Sequence, residues 1–211
     1  MRTIKNFAIR IIRFCASIIA IVGYCFRLIG LVCDKFWLYI YSSYYCMVIK
    51  GADNSVLFRP FVRVFGIDNI FIGKNTVIDK HVTLYSVNKK KKPLLYIGAN
   101  VDIGEYAHIT TIDEIRICDN VLIGKNVTIT DNSHGEITKD SITLPPKARE
   151  MYSPGPVFIE NNVWIGDKVV ILPNVRIGEN SIIGAGSIVT KNIPKNVVAC
   201  GNPAKVIKQI C

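Results

Sequence analysis

The absences in this sequence narrow its function before anything present does. No CxxC pair occurs among its 7 cysteines. Cys15, Cys25, Cys33, Cys46, Cys118, Cys200 and Cys211 are odd in number and scattered, which argues against a disulfide framework or a zinc site. They read as small buried hydrophobes in a reducing compartment. No His, Asp or Glu cluster has metal-ligand spacing, so no metal cofactor is expected. Neither a P-loop nor a GxGxxG turn is present, which removes support for nucleotide hydrolysis or dinucleotide chemistry. Histidine is scarce, with only 3 among 211 residues.

Acidic residues are nearly missing from the first 50 positions. Arg2, Lys5, Arg10, Arg13, Arg27, Lys35 and Lys50 stand there against Asp34 alone, a net of +6 within a chain of formal charge +10. The residues between them are Ile, Leu, Val and Cys rather than a polar reading surface, so nucleic acid is not the expected partner. Anionic lipid headgroups are the better match, at ~1 kcal/mol per basic residue near the surface. The uninterrupted apolar run, Phe14 to Phe26, has 13 residues. As a helix it would cover about 20 Å, short of a ~30 Å hydrocarbon core. Extending it through Arg27 to Cys33 gives 20 residues and a possible span. The aromatics that follow, Phe36, Trp37, Tyr39, Tyr41, Tyr44 and Tyr45, suit a membrane–water boundary. No small-x-small site precedes them, so a cleaved signal peptide is not expected. Residues 1–50 are therefore read as a basic, hydrophobic helical segment attached to a membrane surface. A helical cap on the following domain is the alternative, and a true span ranks third.

From about residue 67 the texture changes. An aliphatic residue recurs every six positions, as Ile72, Ile78 and Leu84, then Ile97, Ile103 and Ile109, then Ile117, Ile123 and Ile129. The longest series is Ile159, Ile165, Ile171, Ile177, Ile183 and Val189. Glycine often follows the aliphatic residue, and a small or branched residue often stands four places on. Neither a helix nor a simple strand has this period. It fits short strands joined by tight corners, with the aliphatic residue inward and glycine permitting the corner conformation. Three hexapeptides make one triangular turn, and stacked turns share a core. Two interruptions break the rhythm. Lys89-Lys90-Lys91-Lys92 reads as a short loop extruded from a corner. Residues 135–156, with Pro145, Pro146, Pro154 and Pro156, form a long loop of the kind that usually carries function.

These motifs resemble the hexapeptide-repeat acyltransferases, over roughly residues 52–208. The resemblance rests on the in-phase repeats together with Ile129-Thr130-Asp131-Asn132-Ser133-His134-Gly135, Gly155-Pro156-Val157-Phe158-Ile159-Glu160-Asn161-Asn162-Val163-Trp164-Ile165-Gly166, Ile183-Gly184-Ala185-Gly186-Ser187-Ile188-Val189-Thr190-Lys191 and Gly201-Asn202-Pro203-Ala204-Lys205-Val206-Ile207-Lys208. It is nearest to bacterial polysaccharide O-acetyltransferases and to galactoside and maltose acetyltransferases. It implies an all-β fold, a left-handed parallel β-helix over residues 51–211, against the usual right-handed crossover. It also implies a homotrimer with sites between subunits, and acetyl-CoA as donor.

Acetyl transfer to a hydroxyl needs a base, an oxyanion partner and alignment of both reactants. His134 ends a run of regular hexapeptides at the mouth of the long loop, and an imidazole can accept a proton and return it in such a step. His81 and His108 occupy outward repeat positions and read as solvated. Asp131 or Asn132 would orient the imidazole or bind a sugar hydroxyl; each would serve equally as a corner residue satisfying backbone amides. The galactoside-type relatives carry an asparagine one turn earlier, where this chain has threonine around Thr110-Thr111. No serine or cysteine stands in a nucleophilic arrangement, so transfer is expected to be direct. By resemblance, Trp164, Asp167, Ala185 and Thr190 line the coenzyme groove. Lys205 and Lys208 stand where relatives place phosphate-binding arginines, supplying charge without the bidentate fork. Lys147, Arg149 and Tyr152 are candidates for the acceptor wall, and the basic pair would suit an acidic or nucleotide-linked sugar. The expected activity is O-acetylation of an O-antigen (lipopolysaccharide), capsule or exopolysaccharide precursor, at the cytoplasmic face of a bacterial inner membrane. N-acetylation of a nucleotide-linked amino sugar is the alternative, and a non-catalytic trimeric scaffold the reading from another class.

Overall fold

The computed structural model describes residues 30, 32–88, 93–136 and 138–210. The uncharged run from Phe14 to Phe26 and the Lys89–Lys92 run lie outside the described residues. Two compact units divide the chain, Met1–Ile40 and Tyr41–Cys211. Helix α1, residues 32–48, gives its first part to one unit and its last turns to the other. Among the described residues, no helix is long and apolar enough to cross a membrane.

The second unit is a parallel β-helix. Sheet A holds Gly51–Ala52, Ile70–Ile72, Leu94–Ile97, Glu114–Ile117, Val157–Ile159 and Arg176–Ile177 in that order. Sheet B holds Leu57–Phe58, Val77–Ile78, Asp102–Ile103, Leu122–Ile123, Trp164–Ile165 and Ile182–Ile183, closed by Val197–Gly201 and Ala204–Gln209. Sheet C holds Arg63–Phe65, Thr83–Ser86, His108–Thr111, Thr128–Thr130, Val170–Ile171 and Ile188–Val189. The chain visits A, B and C in rotation, so every strand pairs with its counterpart one coil away. Registers align the repeat positions, as in Ile78↔Ile103↔Ile123↔Ile165↔Ile183. Each of these five isoleucines is at most 1% exposed. The residue four places after each aliphatic is inward too, as with Val82, Val101, Ala107, Val121, Val127, Val163, Val169 and Val175. Burying such a side chain is worth roughly 1.5–3 kcal/mol, which is why strands of only two or three residues persist.

The glycines and the corners play other parts than the sequence reading assigned. The left-handed corner residue is mainly asparagine, at Asn75, Asn100, Asn120, Asn162, Asn180 and Asn196, all with φ between 54° and 58°. Asparagine tolerates that region because its short polar side chain bonds locally. Here the amides also join into one ladder, each Nδ2 donating to the next Oδ1 at 2.9–3.2 Å. Glycines such as Gly98 and Gly124 lie two residues earlier and have no positive φ. They are there because the next coil passes too close for a side chain: a Cβ on Gly98 would stand 2.3 Å from Asp119 Oδ1 and 2.7 Å from the Cys118 carbonyl carbon. A second corner carries His81, which is not simply solvated. With φ 60° it stacks between Phe61 and Tyr106 at ring separations of 5.1 and 4.7 Å. His108 does face outward and is exposed.

The open N-terminal end of the coil is closed by the last turns of α1. Ser42 Oγ accepts from the Phe58 amide at 2.9 Å, Tyr45 Oη donates to the Val62 carbonyl at 2.6 Å, and Ile49 is fully buried. The Tyr45 ring stacks on Phe58 at 4.8 Å, and burial pushes its phenol pKa up. Residues 42–49 are thus the helical cap weighed from sequence. The four described cysteines differ from expectation: Cys33 is exposed, and Cys46, Cys118 and Cys200 are half-buried. The inward positions between coils take aliphatic side chains, which leaves thiols to the margins.

This division of labour between glycine and asparagine is testable by denaturant unfolding. Gly98→Ala should cost about 2 kcal/mol through overpacking between coils. Asn120→Ala should cost about 1 kcal/mol more than Asn120→Gly, because only alanine meets the left-handed strain.

Candidate functional site

The long loop leaves the β-helix from the corner between sheets C and A, after Thr128–Thr130 and before Val157–Ile159. The lysine run falls at the same corner two coils earlier, between Thr83–Ser86 and Leu94–Ile97. This corner lacks the asparagine ladder and so tolerates insertions.

Asp131 anchors the loop's departure. It is fully buried, and its carboxylate accepts from the Ile112 and Asp113 amides at 2.9 Å each. It also accepts a short hydrogen bond from Thr111 Oγ1 and one from Asn132 Nδ2 at 3.0 Å. Both oxygens are engaged with the neighbouring coil, so of the two readings of Asp131 the geometry is that of the corner residue. The Asn132 amide likewise donates to the Thr110 carbonyl at 3.1 Å, while its backbone N–H donates to Thr130 Oγ1. Thr111, through its hydroxyl, and Thr110, through its carbonyl, therefore hold this segment down.

His134 follows immediately. Ser133–His134 forms an antiparallel pair with Met151–Tyr152, setting His134 opposite Met151 and Ser133 opposite Tyr152. The loop thus returns to grip the strand carrying the histidine. The imidazole is exposed. Gly135, at φ 86°, admits the Arg149 side chain against its backbone, where a Cβ would meet Arg149 Cδ at 2.9 Å. Arg149 Nε in turn donates to the Leu144 carbonyl at 2.9 Å. Helix α2, Lys139–Ile142, begins with a capping box between Thr138 and Ser141. These pieces border an open cleft of about 370 Å³, lined by residues that include Gly135, Glu136, Asp140, Arg149, Met151 and Tyr152.

Of the acceptor candidates, Arg149 and Tyr152 line this cleft, whereas Lys147 sits in the 3₁₀ turn Pro146–Ala148 outside the lining. The sequence reading missed Glu136, Asp140 and Glu150, which make the lining more acidic than basic. Their loop has no periodicity, so nothing in the sequence said which of its side chains converge.

The residues assigned to the coenzyme by resemblance spread around the β-helix. Trp164 projects from sheet B, 51% exposed, in one outward row with Leu122, Ile182, Val198 and Lys208. Lys205 lies on the same terminal hairpin, opposite Cys200. Asp167 and Ala185 are exposed at the corner between sheets B and C. Asp167 Oδ1 accepts from the Lys125 amide at 2.8 Å, the same coil-to-coil corner bond that Asp119 makes to Ala99. Thr190 is exposed just past Ile188–Val189 on sheet C, the sheet that leads to His134. Trp164 and the lysines therefore lie on a different face from His134. Burial raises the pKa of Cys46 and Cys118, so neither is a ready thiolate nucleophile.

Replacing Asp131 by alanine orphans two buried amides and should cost about 3 kcal/mol. A thermal melt should then fall by roughly 5–10 °C.

Comparison with known proteins agrees with this architecture. Residues 156–191 match the family described as bacterial transferase hexapeptide (six repeats). The galactoside O-acetyltransferase of Escherichia coli K12 is 44% identical over 148 residues, covering 65% of this chain and 68% of that protein. A second protein of that strain, WbbJ, whose name as a lipopolysaccharide biosynthesis O-acetyl transferase is itself provisional, is 37% identical over 120 residues, 55% of this chain and 61% of its own. A galactoside acetyltransferase solved in complex with coenzyme A superposes with a TM-score of 0.51 at 40% identity, covering 70% of this chain and 66% of that one. The chain thus belongs to the hexapeptide-repeat acyltransferases, an enzyme family built on the left-handed parallel β-helix.

Proposed function

We propose that this acyltransferase moves an acetyl group from acetyl-CoA to a hydroxyl of a sugar in a surface-polysaccharide precursor (O-antigen, capsule or exopolysaccharide), with His134 as general base. The observation that carries the reading is the exposed His134, paired with Met151 on an antiparallel strand, while Met151 and the adjoining Gly135 line a cleft of about 370 Å³. The names of the relatives, a galactoside O-acetyltransferase and a lipopolysaccharide O-acetyl transferase, support oxygen as the accepting atom.

In the proposed step the acceptor hydroxyl attacks the thioester carbonyl while His134 takes its proton. The negative charge passes to the carbonyl oxygen, where a backbone N–H would hold it; losing such a donor costs ~3–4 kcal/mol in other enzymes. Collapse of the tetrahedral intermediate breaks the carbon–sulfur bond, and the imidazolium returns the proton to the departing thiolate. The raised thiol pKa values at Cys46 and Cys118 are in keeping with direct transfer.

The cleft favours a neutral sugar over an acidic one. Arg149 is the one basic residue in its lining, against Glu136, Asp140 and Glu150, so a carboxylated or phosphorylated ring would meet repulsion there. Tyr152 offers an aromatic face and a hydroxyl, the usual pairing for a sugar. For the donor, Trp164 and Lys208 share one row of sheet B while His134 belongs to the corner after sheet C. A coenzyme reaching both is best accommodated between neighbouring copies, which supports a homotrimer with shared sites.

Thiol release from acetyl-CoA should depend on a sugar acceptor and fall 10²–10⁴-fold in His134→Ala. An unaffected rate in that variant overturns the assignment, and preference for an amino sugar over hydroxyl acceptors redirects it to N-acetylation. Tyr152→Ala should raise the acceptor KM about tenfold, a change of about 1.4 kcal/mol in binding, with kcat far less altered.

A further inference from the structure

The described part of the first unit, helix residues 32–40, presents an apolar surface that acyl transfer does not explain. Val32, Phe36 and Ile40 recur at i, i+4 and i+8 and therefore share one helix face. They are 68, 61 and 42% exposed, and Trp37 and Tyr39 beside them are 53 and 65% exposed. The Phe36 and Trp37 rings meet edge to face at 6.2 Å. So dense a group of large apolar side chains is seldom left to water without a partner.

Charge identifies the partner. Lys35 and Asp34 are the charged residues of this stretch, and residues 1–50 together carry +6 with Asp34 as their lone acid. A second copy of the chain would bring another 1–50 segment of net charge +6, which opposes pairing of two such segments. A nucleic acid would satisfy the charge but would leave the apolar side chains uncovered. An anionic bilayer satisfies both, since it pairs an acyl boundary with negative headgroups. Trp and Tyr are the aromatics suited to that boundary, and the uncharged run of residues 14–26 ends five residues before the patch in sequence.

We propose that residues 32–40 dock the enzyme peripherally on a bilayer surface containing anionic phospholipid, with Phe36, Trp37, Tyr39 and Ile40 entering the headgroup–acyl boundary. This docking is independent of the reading of His134 as the base.

The full chain should be mixed with vesicles of phosphatidylcholine alone or with about a third phosphatidylglycerol. The floated fraction should be about tenfold higher on the anionic vesicles and fall at high salt. Hydrogen exchange of wild-type protein should show amides 32–40 protected by anionic vesicles, a readout that needs no substitution and so does not depend on a variant folding. Phe36→Ser with Trp37→Ser should reduce flotation about tenfold while leaving His134-dependent transfer to a soluble acceptor unchanged. Absence of vesicle binding, unchanged flotation in the double variant, or protection of 32–40 by self-association without lipid would each overturn the proposal. Because transfer and flotation are read separately, loss of one reading leaves the other standing.

Discussion

The spacing between successive coils governs this molecule. Neighbouring strands in a sheet lie about 4.8 Å apart, and here every element must stack at that distance, corners included. Strands of two residues cannot hold themselves together. They persist because Ile103, Ile123, Ile165 and Ile183 pile directly on one another with essentially no exposure. The same spacing excludes a Cβ at Gly98 and Gly124 and lines up the corner amides from Asn75 to Asn196. Core, corners and hydrogen-bond ladder are consequences of one repeat distance.

A rigid stack of this kind has a filled interior, and the proposed base lies where the repeat is relaxed. The corner between sheets C and A has no asparagine ladder, and both interruptions of the hexapeptide rhythm occur there. Asp131 resolves the resulting problem. Where Thr111, Ile112 and Asp113 depart from the regular corner, its buried carboxylate takes up their donors. That bond network fixes the base of the loop three residues before His134. The loop then closes back through Met151–Tyr152, so a histidine on an irregular segment is held between a rigid coil and its own returning strand. Positioning by elements on both sides is what a general base needs if its geometry is to count toward rate.

The two ends of the solenoid show how a one-dimensional core is terminated. Stacked repeats need caps that satisfy the last coil's backbone. At the N-terminal end Ser42 and Tyr45 supply side-chain partners to Phe58 and Val62. At the other end Ala204–Gln209 folds back on Val197–Gly201 and places Lys205 and Lys208 on the terminal hairpin. The closing strand that finishes sheet B thus also carries the basic residues assigned to the coenzyme's phosphates.

The period of six was legible because each hexapeptide repeats the same packing requirement, and local residue choice records it directly. So were the break points, since insertions interrupt a strict count, and His134 stands where the count stops. The family followed from those motifs. What sequence did not disclose were relations between residues far apart along the chain. Asparagine rather than glycine took the corner, because the repeat glycine answers to a neighbouring coil about twenty residues away and asparagine to its own φ. Asp131 could be read as catalytic or structural until Ile112 and Asp113 were seen to donate to it. The acidic lining contributed by Glu136, Asp140 and Glu150 depends on how an aperiodic loop folds, and a lysine two residues from Arg149 falls outside it. Local periodicity by itself determined the three-sided stacked coil, though not its hand, because coil stacking imposes one rule at every turn. The tertiary structure alone decided the site's electrostatics and the role of each corner residue, because those depend on which coils and loop segments come to lie side by side.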